Sequence, residues 1–554
     1  MPRDGYRPRG SRRDPRAGDP ARPRAASRAR RPRGPHPVVV GALAGALLVV
    51  VAIAVGVPLL LVARGAAGRA KRSAPPSVLV SVVPTSATIS LGKLSATGEL
   101  KAPHVDPGAY PLRISRKGFA ALSATLTVTA GKPVVASYAL KPLPQRVSIA
   151  AHPAKTRITC ASGDATRSAT GGVQGSLPAG PLTVTAEAPG YSPVRREVFL
   201  DGPLSLDVWL DPVGQPVRTV SAFRCVPAPK GVAVTPDGSQ MWVTALVTQP
   251  SIEAYDRAGR VIGKVDLGRS GAVEVVFNRD GTRAYASQMQ SASVFEIDTR
   301  TYKVLRTFRT KSSWTKVVAL SPDGTKLYAA NWSGDDVSEI DLASGECTRR
   351  LPTVDTPRGL WPTSDGKRLF VAGFGEQSLT GRIAVIDLAT GKSRTLFSQK
   401  GSAMRHMVAD EKRGVVFTSD MGKACVWETD MRTLQTKKFA GTDSHPNTID
   451  LSPDGRVLFV SCRGANNPKS YYVPGPEWGS IDLFDSASGK PLDVIVGGNQ
   501  CTALDLSDDG KTLVFSDFLD NRLHVYDIPP YEELAAGGGG RWSVRLKEIR
   551  KPGW

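Results

Sequence analysis

Arg405 and His406 stand side by side and form the strongest catalytic pairing in the chain. A histidine beside an arginine has the parts to polarise a carbonyl or to activate a water. His445 and Glu274 are further titratable groups at matching places in the sequence. A lone histidine at a strand start is more often a hydrogen-bonded structural residue, so a binding set is carried beside the catalytic pair. It comprises Trp314, Lys316, Asn331, Trp332, Arg358, Arg405, His406, His445, Asn447, Tyr471, Trp478 and Gln500. Aromatics, cations and amides converging on one concavity suit a polar, sugar-like or peptide ligand. Taken singly, each is more readily a solvated rim residue or a packing aromatic. No cofactor and no metal is expected, because C-x-x-C, H-x-x-x-H, H-E-x-x-H and Walker patterns do not occur in the chain.

The elements that must position these residues are announced by a recurring turn. Thr235-Pro236-Asp237-Gly238 returns as Asn278–Gly281, Ser321–Gly324, Thr363–Gly366, Ser452–Gly455 and Ser507–Gly510, with a degenerate copy ending at Gly414. A period in the forties means stacked supersecondary units. Asp-Gly between two apolar, β-prone runs is a hairpin signal. A second apolar strand, ending in Asp, follows each turn at Asp256, Asp298, Asp341, Asp387, Asp430, Asp485 and Asp527. Four strands per unit and seven units predict an all-β chain with a seven-bladed β-propeller at residues 213–530. The repeated Asp residues are read as turn-formers, not calcium ligands. The lone strand at 217–220 is expected to complete the last blade, the alternative being a strand from 541–549.

In that architecture the tight Asp-Gly turns lie on one face and the variable connections on the other, where binding residues concentrate. Connections between blades supply Trp314, Lys316, Arg358, Arg405, His406, His445, Asn447 and Gln500. Connections within blades supply Asn331, Trp332 and the insertion at 464–479 with Tyr471 and Trp478. Cys225, leaving the closing strand, and Cys501, opening the last blade, are placed to form a disulfide that locks the ring.

The N-terminal fifth differs in kind. Residues 1–36 hold twelve Arg, no Lys and three Asp, a composition expected to give a disordered, basic cytoplasmic tail. Residues 37–63 carry no charge and are long enough to span a bilayer as a retained signal-anchor. Residues 64–76 form a linker. The excess of positive charge before the span over that after it orients the N-terminus inward, with the tail against the anionic inner leaflet and the rest extracytoplasmic. Most of the formal net charge of +22 sits in these flanks, so no nucleic-acid partner is expected.

Residues 77–142 and 143–212 repeat one pattern. Gly108 and Gly118-Phe119 match Gly180 and Gly190-Tyr191, and alternating apolar strands surround each copy. Period-two alternation bounded by Gly and Pro predicts two small β-sandwich modules. Residues 531–554 are a C-terminal tail.

Two resemblances follow. The modules resemble PEGA domains in their glycine-led strand pair ending in Gly-Phe or Gly-Tyr, although Pro84-Thr85-Ser86-Ala87 and Pro153-Ala154-Lys155-Thr156 replace the usual Pro-x-Gly-Ala. The repeats Ser321–Asn331 with Val337–Gly345, and Ser364–Ala372 with Ile383–Lys392, resemble the YVTN family of bacterial surface-layer propellers. That resemblance implies a surface adhesin or scaffold, and a related group includes lactone hydrolases. The sequence therefore points to a membrane-anchored, single-pass, extracytoplasmic recognition or scaffold protein for a protein, peptide or cell-envelope glycan. The alternatives are a lactonase-like hydrolase using Arg405 and His406, and an envelope sensor acting through a partner.

Overall fold

The computed structural model describes residues 76–245, 249–537 and 549–551. The basic tail, the expected spanning segment 37–63, most of the linker and most of the C-terminal tail lie outside the described residues. Among the described residues no helix is long and apolar enough to cross a membrane. The described residues are nearly all β, with a single short helix at Tyr531–Ala536. They divide into two compact units, one ending at Leu143 and one beginning at Pro144.

The first unit is a pair of sheets. Val78–Val83 lies between Glu99–Ala102 and, in parallel, Val134–Ala139. The facing sheet runs Leu94–Thr97, Thr88–Leu91, Gly108–Ser115, Leu122–Val128. Alternation selects what is buried: Val78, Val80 and Val82 point inward against Ile89, Leu91, Leu112 and Ile114. Each such side chain fully buried is worth about 1.5–3 kcal/mol.

The second unit opens with the same topology. Pro144–His152 lies between Gly172–Pro178 and a parallel Leu204–Trp209. The opposing sheet runs Ala165–Thr170, Arg157–Ser162, Gly180–Glu187, Val194–Leu200. Val147, Ile149, Ile158, Leu182 and Val184 fill the space between.

Six four-stranded antiparallel sheets follow in chain order, opening with Pro229–Val234, Val275–Phe277, Thr315–Leu320, Pro357–Pro362, Met404–Asp410 and Pro446–Leu451. A seventh is built from Cys501–Leu506, Thr512–Asp517, Arg522–Asp527 and Arg218–Arg224. The fourth strand of this last sheet thus comes from before the first repeat, pairing Ala222 with His524 and Phe223 with Leu523. The first strand of each sheet packs against the first strand of the next, and that of the first sheet packs against that of the seventh. The last contact is tied by the Val234 N–H donating to Asp505 Oδ2 at 2.7 Å and by Val232 and Val234 meeting Ala503 and Val514.

The recurring turn is explained by its own hydrogen bonds. Ser321 Oγ donates to Asp323 Oδ1 at 2.5 Å, and the Thr325 N–H donates to the same carboxylate at 3.1 Å. Thr363–Asp365, Ser452–Asp454 and Ser507–Asp509 repeat the hydroxyl contact. The glycine that follows takes a positive φ, 68° at Gly324, which a Cβ would oppose.

A second recurrence lies at the other end of the hairpin. Six of the first strands carry a register shift near their start, between Pro229/Val232, Thr315/Val318, Pro357/Gly359, Met404/Met407, Pro446/Ile449 and Cys501/Leu504. A bulge of this kind places an extra residue opposite the partner strand and re-aims its side chain. At four of these bulges a backbone N–H is taken up by a hydroxyl on the second strand, and the second sheet, whose first strand pairs without a shift, makes the same contact. Gly231 donates to Thr244, Glu274 to Ser287, His406 to Ser419, Thr448 to Ser461 and Ala503 to Ser516. Four of these hydroxyls donate onward to a carbonyl of the next sheet: Thr244 to Val273, Ser287 to Lys316, Ser419 to Asn447 and Ser461 to Thr502.

The seventh sheet does not stop at the repeat. Asp207 pairs with Ala222, so the strands of the second module continue into it as one seven-stranded sheet. The boundary expected at 212/213 therefore falls inside a continuous sheet. Arg522 Nη2 reaches Asp207 Oδ1 at 2.8 Å across this seam. Beside it His524 Nε2 meets Asp517 Oδ2 at 2.6 Å with both side chains fully buried. Trp209 stacks on His152 at 4.1 Å and meets His524 edge-on at 4.9 Å.

Replacing Ser419 by Ala orphans the His406 N–H and the Asn447 carbonyl in a buried place. We expect the unfolding free energy to fall by about 2 kcal/mol, measured by urea unfolding at neutral pH. A change indistinguishable from zero would show that the hydroxyl bridge between sheets carries no load.

Candidate functional site

The bulges decide what faces the axis around which the seven first strands pack. Their residues are Lys230 in the first sheet, Lys316 in the third, Arg358 in the fourth, Arg405 and His406 in the fifth, Asn447 in the sixth and Thr502 in the seventh. The second sheet places Glu274 at the same level, with its N–H on Ser287. Four cations thus occupy one repeated position, and Glu274 stands one residue further on, where Gly231 and His406 stand in their own sheets.

Their environment is unfavourable to charge. Burial pushes Lys230 well below the usual lysine range, and Arg463, Arg405 and Arg358 push it further, with Glu274 acting against them. Burial does the same to Lys316, reinforced by Arg358, Arg405 and Lys230 and opposed by Glu376. Burial also lowers Arg358, which Glu274 partly restores. The Arg358 side chain is 7% exposed, and Nη1 lies 3.7 Å from Glu274 Oε2 as an ion pair without a hydrogen bond. Glu274 is itself raised by burial despite Arg358 and Lys230.

An aromatic wall stands beside the cations. Lys316 Nζ sits 3.1 Å from the centroid of the Trp332 ring. The Trp332 indole N–H donates to Glu376 Oε2 at 2.7 Å, and its ring meets Phe374 at 5.0 Å. The Arg405 guanidinium lies over Phe374 at 4.8 Å, with Nη2 3.0 Å from Met421 Sδ. Cations over aromatic faces gain about 0.5–2 kcal/mol, which holds Lys316 and Arg405 against this wall.

His406 is turned another way. Its Nδ1 lies 3.1 Å from the Ile449 carbonyl oxygen, which fixes the tautomer with the proton on Nδ1 and leaves Nε2 as acceptor. Burial, aided by Arg358, pushes its pKa down to about 4, so the ring is neutral at pH 7. Arg405 and His406 are therefore engaged by different neighbours. Burial also lowers His445, with Arg463 and Arg405 adding to the effect.

The remaining expected residues separate into two groups. Lys316, Trp332, Arg358, Arg405 and His406 are brought together at the axis. Asn331 is fully buried and locks its own sheet, accepting from Thr315 at 2.7 Å and donating to Asp336 and Ser338 at 2.8 Å. Asn447 donates to the Thr502 carbonyl at 2.7 Å. Gln500 binds Arg463 and the Tyr471 carbonyl. Tyr471 stacks on Tyr472 at 4.0 Å, and Arg463 lies 5.3 Å from its ring. Trp478 donates its N–H to the Ile549 carbonyl at 2.8 Å and carries Lys551 Nζ 4.4 Å above its ring. Trp314 adopts φ 57° and accepts from the Trp332 N–H at 2.9 Å. All six cysteines are free thiols, Cys225 and Cys501 included. The expected bridge is not formed: Cys501 Sγ faces Asp517 Oδ1 at 3.1 Å, while Cys225 Sγ turns to the Val226 carbonyl.

Lys230 and Arg463 were absent from the expected set. Lys230 was detectable, because it follows Pro229 at the position that Arg358 holds after Pro357. Arg463 immediately precedes the long insertion and carries no repeat signal of its own. Among the described residues no cluster of His, Cys, Asp or Glu could hold a metal ion.

Fold and site together define a β-rich protein of repeated four-stranded sheets with a cation-lined, aromatic-walled centre. The chain is similar to Antigen Lp49 of Leptospira interrogans, with 32% identity over 260 residues, 46% of this chain and 57% of that one. It thus spans little more than half of that relative's length. A chain of the Kuenenia stuttgartiensis hydrazine synthase is similar in structure over 55% of this chain and 96% of its own, with 18% identity and a TM-score of 0.48. No protein-family model matches the chain.

His406 generates a pH dependence. Its folded pKa of about 4 lies below the ordinary value near ~6.5. Between these values the unfolded chain holds a proton that folded His406 refuses, so stability falls as pH drops from about 6.5 to 4. The melting temperature of His406→Gln is expected to fall less steeply over that window. His152, also pushed down to about 4 by burial, supplies a residual slope. Equal slopes in wild type and variant would contradict the burial of His406.

Proposed function

We propose that the chain is a membrane-anchored, extracytoplasmic recognition protein. In this reading residues 37–63 are the anchor, the two PEGA-like modules mount the head, and the seven sheets form a YVTN-like seven-bladed β-propeller. The head binds a protein, peptide or cell-envelope glycan at the mouth of its axis. Cyclic contact between successive first strands supports the propeller, and the placement of Arg218–Arg224 in the last sheet supports its closure. Likeness to a leptospiral antigen is in keeping with a location outside the cytoplasm. The observation that carries the reading is the repeated bulge, which turns Lys230, Lys316, Arg358 and Arg405 to one place beside Trp332. Seven sheets need no charge at that position to pack, so its recurrence there speaks for a ligand.

The test is affinity capture from a cell-envelope extract with the full chain in detergent. A variant with Trp314, Trp332, Arg405 and His406 changed to Ala is run beside it, after both show the same melting temperature. A protein or glycan retained by the first and lost from the second is the expected result. Equal retention moves recognition away from the axis. Retention of nothing by either favours the hydrolase alternative, assayed next with lactones in Arg405→Ala and His406→Ala.

A further inference from the structure

We propose that the first module carries a docking edge for a second copy of this chain. In the pair, Val134–Ala139 runs antiparallel to the same strand of the second copy about a two-fold axis at Ser137. This goes beyond the recognition reading and stands apart from it.

Two modules of one topology use the same edge differently. In the second, Leu204–Trp209 runs parallel to Pro144–His152 on one side, and on the other its Asp207 pairs antiparallel with Ala222 of Arg218–Arg224. In the first, Val134–Ala139 runs parallel to Val78–Val83 in the same way and ends its sheet. The Val134 and Leu140 N–H groups donate to the Ser77 and Val83 carbonyls, as the Leu210 N–H donates to the His152 carbonyl. Alternation then turns the N–H and C=O groups of Val135, Ser137 and Ala139 to the open edge. Ser137 holds the place of Asp207, each standing three residues before the matching leucine.

Other edges of the chain are guarded, as exposed edges must be if they are not to pair. The last strands of the six repeated sheets carry Lys264, Arg306, Arg349, Arg394, Lys437 and Asp493. In the second module Val194–Leu200 carries Arg195, Arg196 and Glu197. Arg167 Nε covers Gly172–Pro178 by donating to the Ser176 carbonyl at 3.0 Å. Glu99 and Lys101 guard the far edge of the first module's own sheet. Val134–Ala139 has neither charge nor proline, and its Val135 is 73% exposed. Leu122–Val128, the edge strand before it, is uncharged as well, but its counterpart Val194–Leu200 ends its sheet, whereas the counterpart of Val134–Ala139 is paired.

The lack of charge selects the partner. A two-fold pair sets a strand against itself, so a charge at its centre would face its own copy. Val134–Ala139 avoids this throughout. With Ser137 opposite Ser137, Val135 faces Ala139 on both sides of the axis. The three outward N–H groups of each copy then meet the three outward carbonyls of the other. Lys132 and Lys141 stand just beyond the two ends of the strand and fall near one another across the axis, so added salt should favour the pair.

The full chain in detergent is sedimented at about 100 µM, where even a ~10 µM dimer is mostly formed. Wild type is expected to be dimeric. Ser137→Lys should weaken the dimer about fivefold by setting like charges opposite each other. An equal mixture of Ser137→Lys and Ser137→Asp should restore it as a mixed pair. Val135→Pro removes one outward N–H from each copy and keeps the bonds to Val78–Val83, so it should weaken the dimer about tenfold. Both side chains are exposed, so the melting temperature of the monomer should not change. Ser137 Cα lies about 5.5 Å from its own copy in such a pair, within the reach of a disulfide. Ser137→Cys should therefore link two copies on mild oxidation, while Ser95→Cys on the edge strand Leu94–Thr97 should not. A monomeric wild type overturns the proposal and leaves the edge to a segment of this chain or to another protein. So does a dimer that Ser137→Lys and Val135→Pro leave unchanged. Linkage of Ser95→Cys as readily as of Ser137→Cys overturns it too.

Discussion

The second-strand hydroxyl at the bulge is the interaction on which the remaining architecture depends. A bulge frees one N–H from the ladder, and a buried N–H without a partner costs about 1–3 kcal/mol. Thr244, Ser419, Ser461 and Ser516 accept that N–H from their own sheet, and Ser287 accepts the Glu274 N–H in the second sheet, where the ladder has no bulge. Four of them then donate to the next sheet. One oxygen thereby solves a local problem and fixes the spacing of neighbours. The third and fourth sheets have Ala330 and Ala372 at this place, and each compensates differently. In the third, Thr310, Thr315, Asn331 and Ser338 form their own buried network. In the fourth, the bulge is confined to Arg358 between Pro357 and Gly359.

Electrostatics at the axis oppose folding, and the sheets around it supply the compensation. Each repeat buries a hairpin of large apolar residues, among them Phe370, Phe417, Phe459 and Phe515 on equivalent strands. Those contacts are made between sheets, so the cyclic packing that creates the cationic centre also provides the free energy that sustains it. At sheet edges the same chain pairs Arg306, Arg349 and Arg350 with buried carboxylates.

Much of the fold was legible because its signals are local. Asp-Gly turns advertise hairpins, and Asp323 or Asp365 does the same work in the structure that the spacing implied. The strand near 217–220 was legible as a closing strand because the last repeat lacks one, and it is found at Arg218–Arg224 on the final sheet. The site was legible only in part. Lys316, Arg358 and Arg405 stand at strand starts and do meet. Asn331 and Asn447 stand at comparable places, but an amide with a donor and an acceptor is the natural partner for backbone and hydroxyl groups there, and both are used that way. Hydroxyl bridges between sheets were invisible, since Ser and Thr in a strand carry no mark of the neighbour they will reach. The two cysteines near the closure were adjacent in topology yet face different groups, because strand adjacency does not fix the direction of a side chain.

The closing strand has a further consequence for how the sheets are mounted. Domains joined by a linker move relative to one another unless a large interface prevents it. Here the second module is joined by a shared sheet, with Asp207 pairing Ala222 and Arg522 reaching back to Asp207. Behind that seam lie the buried His524–Asp517 pair and the Trp209 ring wedged between His152 and His524. Replacing one member of a buried pair is strongly destabilising, whereas apolar groups of the same shape often serve stability better. A polar seam therefore contributes less to strength than to register, since it accepts only the alignment that satisfies every partner. Register matters most in this place, because a slip of one residue along Arg218–Arg224 would turn each of its side chains to the opposite face. The non-repeating strand that completes the last sheet is thus also the part whose alignment fixes how the second module is held against the seven sheets.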